Sequence, residues 1–485
     1  MTHSHVAGAI HADAQSLRPS WLSVPDDVNV LVAPLWSSSV HRLPDGEVEV
    51  GGIRVSELAA EVDTPAYVLD EDDLRQRARA FRDAFAGWSV YYAGKSFLCR
   101  AVVEWLVADG LNIDVCTGGE LEIALAGGAD PARLALHGNN KSVAELRRAL
   151  EVGVGRIVVD SFDEIDRLEQ LAAELSVRPQ VMLRVTTGIE AHTHNYIATA
   201  HEDQKFGFSL AVNSTGRSPA ERALDRCEES AALDLIGIHS HIGSQIFEVA
   251  GFEQAARRTL RALADFRDRH GRELAELDLG GGFGIAYTTQ DSPADPADLA
   301  AGIRRIVELE SAALGLAVPA MSVEPGRAIS GPSTLLLYQV GTVKPVELDG
   351  GKLRHYVSVD GGMSDNIRPA LYAAAYSCTL ASRTSDAEPV LARVVGKHCE
   401  GGDIVVHDEF VPADIAPGDL LAVPGAGAYS RSMASNYNHV PRPPVVAVKH
   451  GQWRTLVRRE TVADLLALEV DEPYRRQTDA QPKNN

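Results

Sequence analysis

The chain has 485 residues, too many for one ordinary hydrophobic core, so we expect two domains. Hydrophobic residues make up 45% of the sequence and charged residues 23%, which is typical of a folded protein and excludes extensive disorder. The net charge of -21 disfavours nucleic acid and anionic membranes as partners.

The amino terminus, residues 1–20, is predicted to be a flexible extension. It lacks a basic segment followed by a long apolar run, so we expect no secretory signal. No stretch of the sequence approaches 18 uninterrupted apolar residues, so we expect no membrane span. The cysteines are scattered and none forms CxxC, which indicates neither a disulfide framework nor a structural zinc site. These features predict a cytoplasmic enzyme without a metal.

From about residue 61 to residue 335, short β-rich apolar runs alternate with amphipathic helical segments such as SVAELRRALEVG. This alternation is typical of parallel βα units. A closed barrel needs eight strands, so one of the nine runs, PAYVLD, is expected to lie outside the ring. An open, doubly wound sheet is the main alternative at this level. The nine predicted strands are PAYVLD (65–70), VYYAG (90–94), NIDVC (112–116), LALHG (134–138), RIVVD (156–160), VMLRV (181–185), IGIHSHIG (236–243), LDLGGG (277–282) and MSVEP (321–325).

The rest of the chain is predicted to be mainly β-structure. Residues 336–471 contain strand-like runs separated by turns and little helix, which indicates a separate β-domain. Residues 21–60 have the same character and are expected to join that domain, which would make it discontinuous in sequence. The polar residues 472–485 are predicted to be a frayed tail.

Polar residues cluster where the predicted strands of the first region end. In a βα-barrel the carboxyl ends of the strands converge on one mouth, where active sites are built. Six predicted strands end in reactive or polar residues at the same rim, which is hard to attribute to chance. The residues are Lys95, Asp114, Cys116, 137–141 (HGNNK), His239, His241, Ser244, 280–284 (GGGFG) and 324–327 (EPGR).

Lys95 lies between two apolar runs, so we expect its ammonium group in partly desolvated surroundings. Desolvation lowers the pKa of a lysine and frees the neutral amine to attack a carbonyl group. The alternative is a lysine that extends from a strand end into solvent.

The glycine run and EPGR add the features of a cofactor site. GGGFG allows backbone N–H groups to approach an anion such as phosphate, although a tight turn with positive φ also explains it. It is not a dinucleotide-binding motif, because Ile285 stands where GxGxxG requires glycine. A buried Glu324 beside a pyridine nitrogen would keep that nitrogen protonated, whereas a surface ion pair with Arg327 is the ordinary alternative. A Schiff-base lysine, a phosphate cradle and this carboxylate together predict a pyridoxal 5'-phosphate (PLP) site.

From about residue 60 to residue 470 the chain resembles the diaminopimelate decarboxylases, PLP enzymes of the alanine-racemase-like fold group. That family has an N-terminal barrel and a C-terminal β-domain, so the resemblance favours a (β/α)8 barrel at 61–335 over the open sheet. It implies decarboxylation of meso-2,6-diaminopimelate to L-lysine, the last step of lysine biosynthesis. Residues 192–207 resemble the actinobacterial members. The motifs that carry the resemblance are YYAGK, DVCTGGE, HGNNK, HSHIGSQ, DLGGGFG, EPGR, VDGGMSDNIRPALY, HCEGGD and GAGAYS.

The resemblance implies a role for each residue around the cofactor. Lys95 would carry PLP as a Schiff base, and His241 would lie against the ring. Ser244 and Gly282 would hold the phosphate, while Glu324 would pair with the ring nitrogen. The residues that follow Glu324 would line the site, and the last of them would also meet the substrate: Pro325, Gly326 and Arg327.

The resemblance also places substrate-binding residues in the β-domain. Arg368 and Tyr372 would bind the distal carboxylate of the substrate, and Tyr429 would contact cofactor and substrate. Cys399 and Glu400 would enter the active site of the partner subunit, which implies a homodimer with shared sites. A thiol is a serviceable acid for returning a proton to Cα, although a cysteine at a strand end is otherwise a small buried hydrophobe. Glu400 would accept a hydrogen bond from the distal ammonium group.

Three other functions remain as alternatives. The first is a related decarboxylase of ornithine, arginine or a carboxypolyamine, but a substrate without a distal carboxylate would leave Arg368 unpaired. The second is a racemase of the same fold, and the third is a PLP-binding homeostasis protein, which would lack the β-domain. Gly94, Ser96 and Gly401 replace residues more usual in the family, as in a paralogue with a shifted substrate.

Overall fold

The computed structural model describes residues 18–188, 204–214, 216–348 and 351–472. Most of the predicted N-terminal extension, nearly all of the C-terminal tail and most of the segment 192–207 lie outside the described residues. Within the described ranges, no helix is long and apolar enough to cross a membrane.

The amino-terminal segment forms a small antiparallel sheet, a helix (Val55–Val62) and one further strand. Apolar side chains of this segment, Trp36 and Leu58 among them, share a buried cluster with Leu335 and Val446 of the carboxyl-terminal region. The segment therefore packs on the β-domain, as the sequence predicts. The strands are β1 (His41–Arg42), β2 (Val48–Val50), β3 (Ile53–Arg54) and β4 (Ala66–Asp70).

Eight parallel strands, β5 to β9 and β11 to β13, close into a barrel. The last of them pairs with the first, so the closed ring is present and the open sheet is excluded. A two-residue strand, β10, is attached parallel to β9 outside the ring. The strands are β5 (Ser89–Ala93), β6 (Asn112–Val115), β7 (Leu134–Leu136), β8 (Arg156–Val159), β9 (Gln180–Thr186), β10 (Phe208–Ser209), β11 (Asp234–Ser240), β12 (Glu276–Asp278) and β13 (Ala320–Val323).

Helices cover the outside of the barrel. Their starts follow from capping residues in the sequence; for example, Ser142 and Glu145 form a capping box at one of them. Inside the ring, Arg156 of β8 forms a buried ion pair with Asp278 of β12, so charged groups fill part of the interior. The long helices are Glu71–Ala84, Arg100–Ala108, Gly118–Ala126, Val143–Val152, Phe162–Leu175, Pro219–Glu228, Val249–His270 and Pro296–Leu314.

The carboxyl-terminal region is a mixed sheet with three short helices at its edges and loops (Arg327–Ser330, Arg368–Tyr372 and Val462–Leu466). In this sheet β4 lies between two later strands, antiparallel to β14 and parallel to β20. PAYVLD is therefore outside the barrel, as predicted. The strands are β14 (Thr334–Leu348), β15 (Lys352–Val359), β16 (Thr379–Leu380), β17 (Pro389–Val395), β18 (Ile404–Pro412), β19 (Leu420–Val423), β20 (Val445–Lys449) and β21 (Gln452–Val457).

Candidate active site

A cavity of about 210 Å³ lies where the carboxyl ends of the barrel strands face the β-domain. It contains most of the residues predicted from the sequence. Pro325 is buried next to it, and its carbonyl oxygen accepts a hydrogen bond from the Ala93 amide at 3.3 Å. The predicted residues that line the cavity are Lys95, His241, Ser244, Gly282, Glu324, Gly326, Arg327, Arg368, Tyr372 and Tyr429.

Lys95 follows β5 directly, in a single helical turn, and its side chain is 40% exposed. Its Nζ lies 3.9 Å from Oδ2 of Asp114, which is fully buried at the neighbouring strand. Burial opposes the charge on Lys95, but the facing Asp114 carboxylate outweighs it and raises the pKa of Lys95. The expected lowering of the Lys95 pKa is therefore wrong. The sequence did not show that a carboxylate on β6 would face this amine.

Two residues beside Lys95 that differ from the usual family pattern have local structural roles. A Cβ atom at Gly94 would lie 2.7 Å from the Asp114 carbonyl oxygen, so the close approach of β5 and β6 favours glycine. Ser96 Oγ lies 2.8 Å from the Ala93 carbonyl oxygen and 2.9 Å from the Tyr92 hydroxyl, which fixes the turn that carries the lysine.

Glu324 lies deep in the cavity, one residue after β13, and both its oxygens meet histidines. His239 Nε2 lies 3.3 Å from Oε2, and His137 Nε2 lies 2.9 Å from Oε1. Burial works against ionisation of the carboxyl group, but the two histidines hold the pKa of Glu324 well below its usual range. Glu324 is thus a buried carboxylate. The sequence predicts both histidines at the rim of the barrel, but no motif assigns them a role in the site.

The glycine run forms a tight turn that also lines the cavity. Gly282 has φ +107°, and a Cβ atom there would lie 2.5 Å from the Gly243 carbonyl oxygen, so both conformation and space require glycine. Next to it, Ser244 Oγ accepts a hydrogen bond of 2.8 Å from Arg327 Nη2. Burial, and then the charge on Lys95, hold the pKa of His241 well below its usual value, so this imidazole is neutral at pH 7.

Two buried arginines give the cavity a positive side. Arg368 Nε donates to the Tyr376 hydroxyl at 2.9 Å, and Arg327 Nη1 donates to the Tyr287 hydroxyl. The Arg327 guanidinium also lies 4.7 Å from the centre of the Tyr429 ring. Among the residues the structure describes, no carboxylate forms an ion pair with either arginine. The pair can therefore bind anionic groups of a ligand. Tyr287 and Tyr376 were missed by the sequence analysis.

Cys399 and Glu400 are exposed and do not line this cavity. Their loop is held in place by Asp403, whose oxygens accept hydrogen bonds from the Met363 amide at 2.6 Å and the His398 amide at 2.7 Å. A single chain therefore does not bring the two residues to Lys95, and their predicted role requires a second subunit.

The residues of the cavity fit PLP. A primary amine, a turn of glycines beside a serine, and a buried ionised carboxylate match an aldehyde, a phosphate and a pyridinium nitrogen, respectively. Glu324 Oε1 is buried and, within the described part of the chain, has no well-aligned hydrogen bond, so it is the oxygen available to a ring nitrogen.

Comparison with known proteins gives the family. Residues 71–331 match the pyridoxal-binding domain of pyridoxal-dependent decarboxylases. The chain is 50% identical to the diaminopimelate decarboxylase of Mycobacterium leprae over 96% of this chain and 99% of that protein. It is 53% identical to the Mycobacterium tuberculosis enzyme over 91% and 98%, respectively. A solved diaminopimelate decarboxylase of M. jannaschii with L-lysine is similar, with 28% identity, coverage of 90% and 99%, and a TM-score of 0.82. The chain therefore belongs to the diaminopimelate decarboxylase family of pyridoxal-dependent decarboxylases.

Proposed function

We propose that this chain decarboxylates meso-2,6-diaminopimelate to L-lysine and carbon dioxide, with PLP bound at Lys95. The observation that carries the proposal is the pair of buried arginines, Arg327 and Arg368, beside the lysine and without a carboxylate partner among the described residues. A substrate with a second carboxylate supplies that partner. We propose a cytoplasmic location, with which the free cysteines are consistent, and no nucleic acid or membrane partner.

The barrel residues hold the cofactor. When bound, PLP delocalises the electron pair that the departing carboxylate leaves on Cα. Lys95 Nζ would hold the cofactor covalently, and Glu324 Oε1 would accept a hydrogen bond from the protonated ring nitrogen. The neutral His241 ring would lie against the cofactor, and Ser244 and Gly282 would bind its phosphate. Pro325, Gly326 and Arg327 line the site, and Arg327 also meets the substrate.

The β-domain residues bind the substrate and return the proton. Arg368 and Tyr372 bind the distal carboxylate, and Tyr429, over which the Arg327 guanidinium lies, contacts both substrate and cofactor. Since Cys399 and Glu400 are exposed on a loop outside their own cavity, we propose that they act in the partner subunit of a homodimer. There Cys399 Sγ delivers a proton to Cα, and a Glu400 oxygen accepts from the distal ammonium group.

The direct test supplies the purified protein with PLP and meso-diaminopimelate. We expect L-lysine and carbon dioxide in equal amounts, measured by chromatography and gas release. One carboxylate of the substrate is predicted to leave as carbon dioxide, and the distal one is predicted to be bound by Arg368. Ornithine and arginine serve as matched substrates without a distal carboxylate. Efficient release of carbon dioxide from ornithine and none from diaminopimelate would contradict the proposal.

Shared active sites predict complementation between two defective chains. Mixing Lys95→Ala with Cys399→Ala should restore about a quarter of wild-type activity at equal amounts, because random exchange makes half the dimers mixed and each has one intact site. Mixing Lys95→Ala with Glu324→Ala is the control, since both changes affect the barrel side and no intact site can form. Absence of recovery after exchange of subunits has been demonstrated by mass spectrometry would argue against shared sites.

A further inference from the structure

Glu324 is held by residues from two other strands of the barrel. His137 follows β7, His239 lies in β11, and all three side chains are buried. Each histidine meets a different carboxylate oxygen through Nε2, at 2.9 Å and 3.3 Å, and the two imidazole rings lie edge to face with centres 4.9 Å apart. The carboxylate is thus fixed from two sides by groups far from it in sequence.

We infer that His137 and His239 are positioning residues. Each contacts one oxygen of Glu324, and together they orient its carboxylate toward the ring nitrogen of the cofactor. The inference rests on the proposed function of Glu324 and adds two residues that do not themselves line the cavity.

The surroundings of Glu324 explain why such support is needed. The carboxylate is almost completely buried, and a buried charge is costly unless it is paired. Other charged or titratable groups face it from the neighbouring strands, but within the described ranges only the two histidines are in ion-pair contact with its oxygens. The groups that act on it from farther away are Tyr91, Lys95, Cys116, Arg156, Arg184 and His241.

His239 acts as a hydrogen-bond donor to Glu324. Burial lowers the pKa of His239, so its imidazole is neutral at pH 7 and the Nε2–H tautomer faces the carboxylate. The nearest ligand atoms of the three residues all lie within 4.8 Å of one another, close enough for a metal ion. His239 Nε2 is hydrogen-bonded to Oε2 at 3.3 Å, and His137 Nε2 lies 2.9 Å from Oε1 without hydrogen-bond alignment. These short direct contacts favour support of the carboxylate by the imidazoles themselves.

The test replaces each histidine by glutamine and by asparagine, whose side-chain amides place a nitrogen near imidazole Nε2 and Nδ1, respectively. In His137→Gln and His239→Gln the amide nitrogen reaches the position of Nε2, whereas in the corresponding asparagine variants it stops near Nδ1. We expect each asparagine variant to raise the dissociation constant of PLP from the apoprotein about 10- to 100-fold, the range for loss of a polar contact with a charged group. The glutamine variants should stay within about threefold of wild type.

The pH dependence of PLP binding distinguishes a positioning role from a purely structural one, because a purely structural role would leave the acid transition unchanged. When one of the two histidine contacts is lost, Glu324 takes up a proton at higher pH than in the wild type. The ring nitrogen then loses its partner, so the low-pH loss of PLP affinity and the change in its visible absorbance should shift upward by about one pH unit. An asparagine variant that weakens binding with the acid transition unchanged would overturn the inference.

Glu324→Gln separates this inference from the proposed function. If Glu324→Gln leaves PLP affinity and absorbance unchanged, the proposed role of the glutamate itself is wrong. If Glu324→Gln weakens PLP binding, each asparagine change is then combined with it. The inference fails if the asparagine change raises the dissociation constant of PLP as much in Glu324→Gln as in the wild type, because the histidines then act independently of Glu324. We expect little further loss in the double variants, because the residues act as one unit.

Discussion

The Lys95→Ala variant is expected to lose decarboxylation by at least about 10³-fold, since it loses both covalent attachment of the cofactor and a group able to transfer protons. The visible absorbance of bound PLP should disappear after dialysis. The measurements are kcat with meso-diaminopimelate and the absorbance spectrum of the dialysed protein. Lys344→Ala, a change at an exposed lysine of the β-domain, is the matched control and should behave as wild type.

Borohydride reduction decides the assignment of Lys95. In the wild type it should fix PLP to the peptide that contains Lys95, and in the variant it should fix none. A chromophore in Lys95→Ala that still reduces onto the protein would show that another lysine carries the cofactor.

The second large effect is expected for Arg368→Met. It should raise KM for diaminopimelate roughly 10²- to 10³-fold, because it leaves the distal carboxylate unpaired in a buried position, at a cost of about 3–4 kcal/mol. The affinity for PLP should change little, since Arg368 belongs to the β-domain side of the cavity. KM comes from steady-state kinetics and PLP affinity from titration of the apoprotein. Arg458→Met, at an arginine side chain that is 68% exposed, is the control.

Two outcomes would contradict the role of Arg368. The first is an unchanged KM for diaminopimelate. The second is a parallel loss of PLP affinity, which would place the arginine at the cofactor. Because Arg368 also donates to the buried Tyr376 hydroxyl, thermal unfolding should be measured for the same variant to separate binding from stability.

The barrel was predictable from three independent patterns. These are the alternation of strands with helices, the polar residues at the carboxyl ends of the strands, and the family motifs. The position of PAYVLD outside the ring followed from counting nine runs for eight places. The residues that gather around Lys95 also followed, because carboxyl ends of parallel strands meet at one mouth whatever their separation in sequence.

The rest depends on contacts that no local pattern encodes. His137 and Glu324 are 187 positions apart, and nothing in HGNNK or EPGR specifies that their side chains touch. The pKa of Lys95 moves opposite to expectation because it depends on the facing Asp114 as well as on burial. The roles proposed for Cys399 and Glu400 involve a second chain, so a single subunit cannot test them.

The position of β4 makes the barrel an insertion into the β-domain. The Asp70 amide donates to the Ser333 carbonyl oxygen at 2.8 Å, and Leu69 pairs with Thr334, so the chain leaves and re-enters the β-sheet at adjacent points. The family match, 71–331, covers the inserted portion. An inserted domain whose two ends lie close together can be inserted into another domain without changing the strand order of the surrounding sheet. The barrel, with Lys95 and Glu324, is thus inserted between two adjacent points of the sheet in the domain that carries Arg368 and Tyr429.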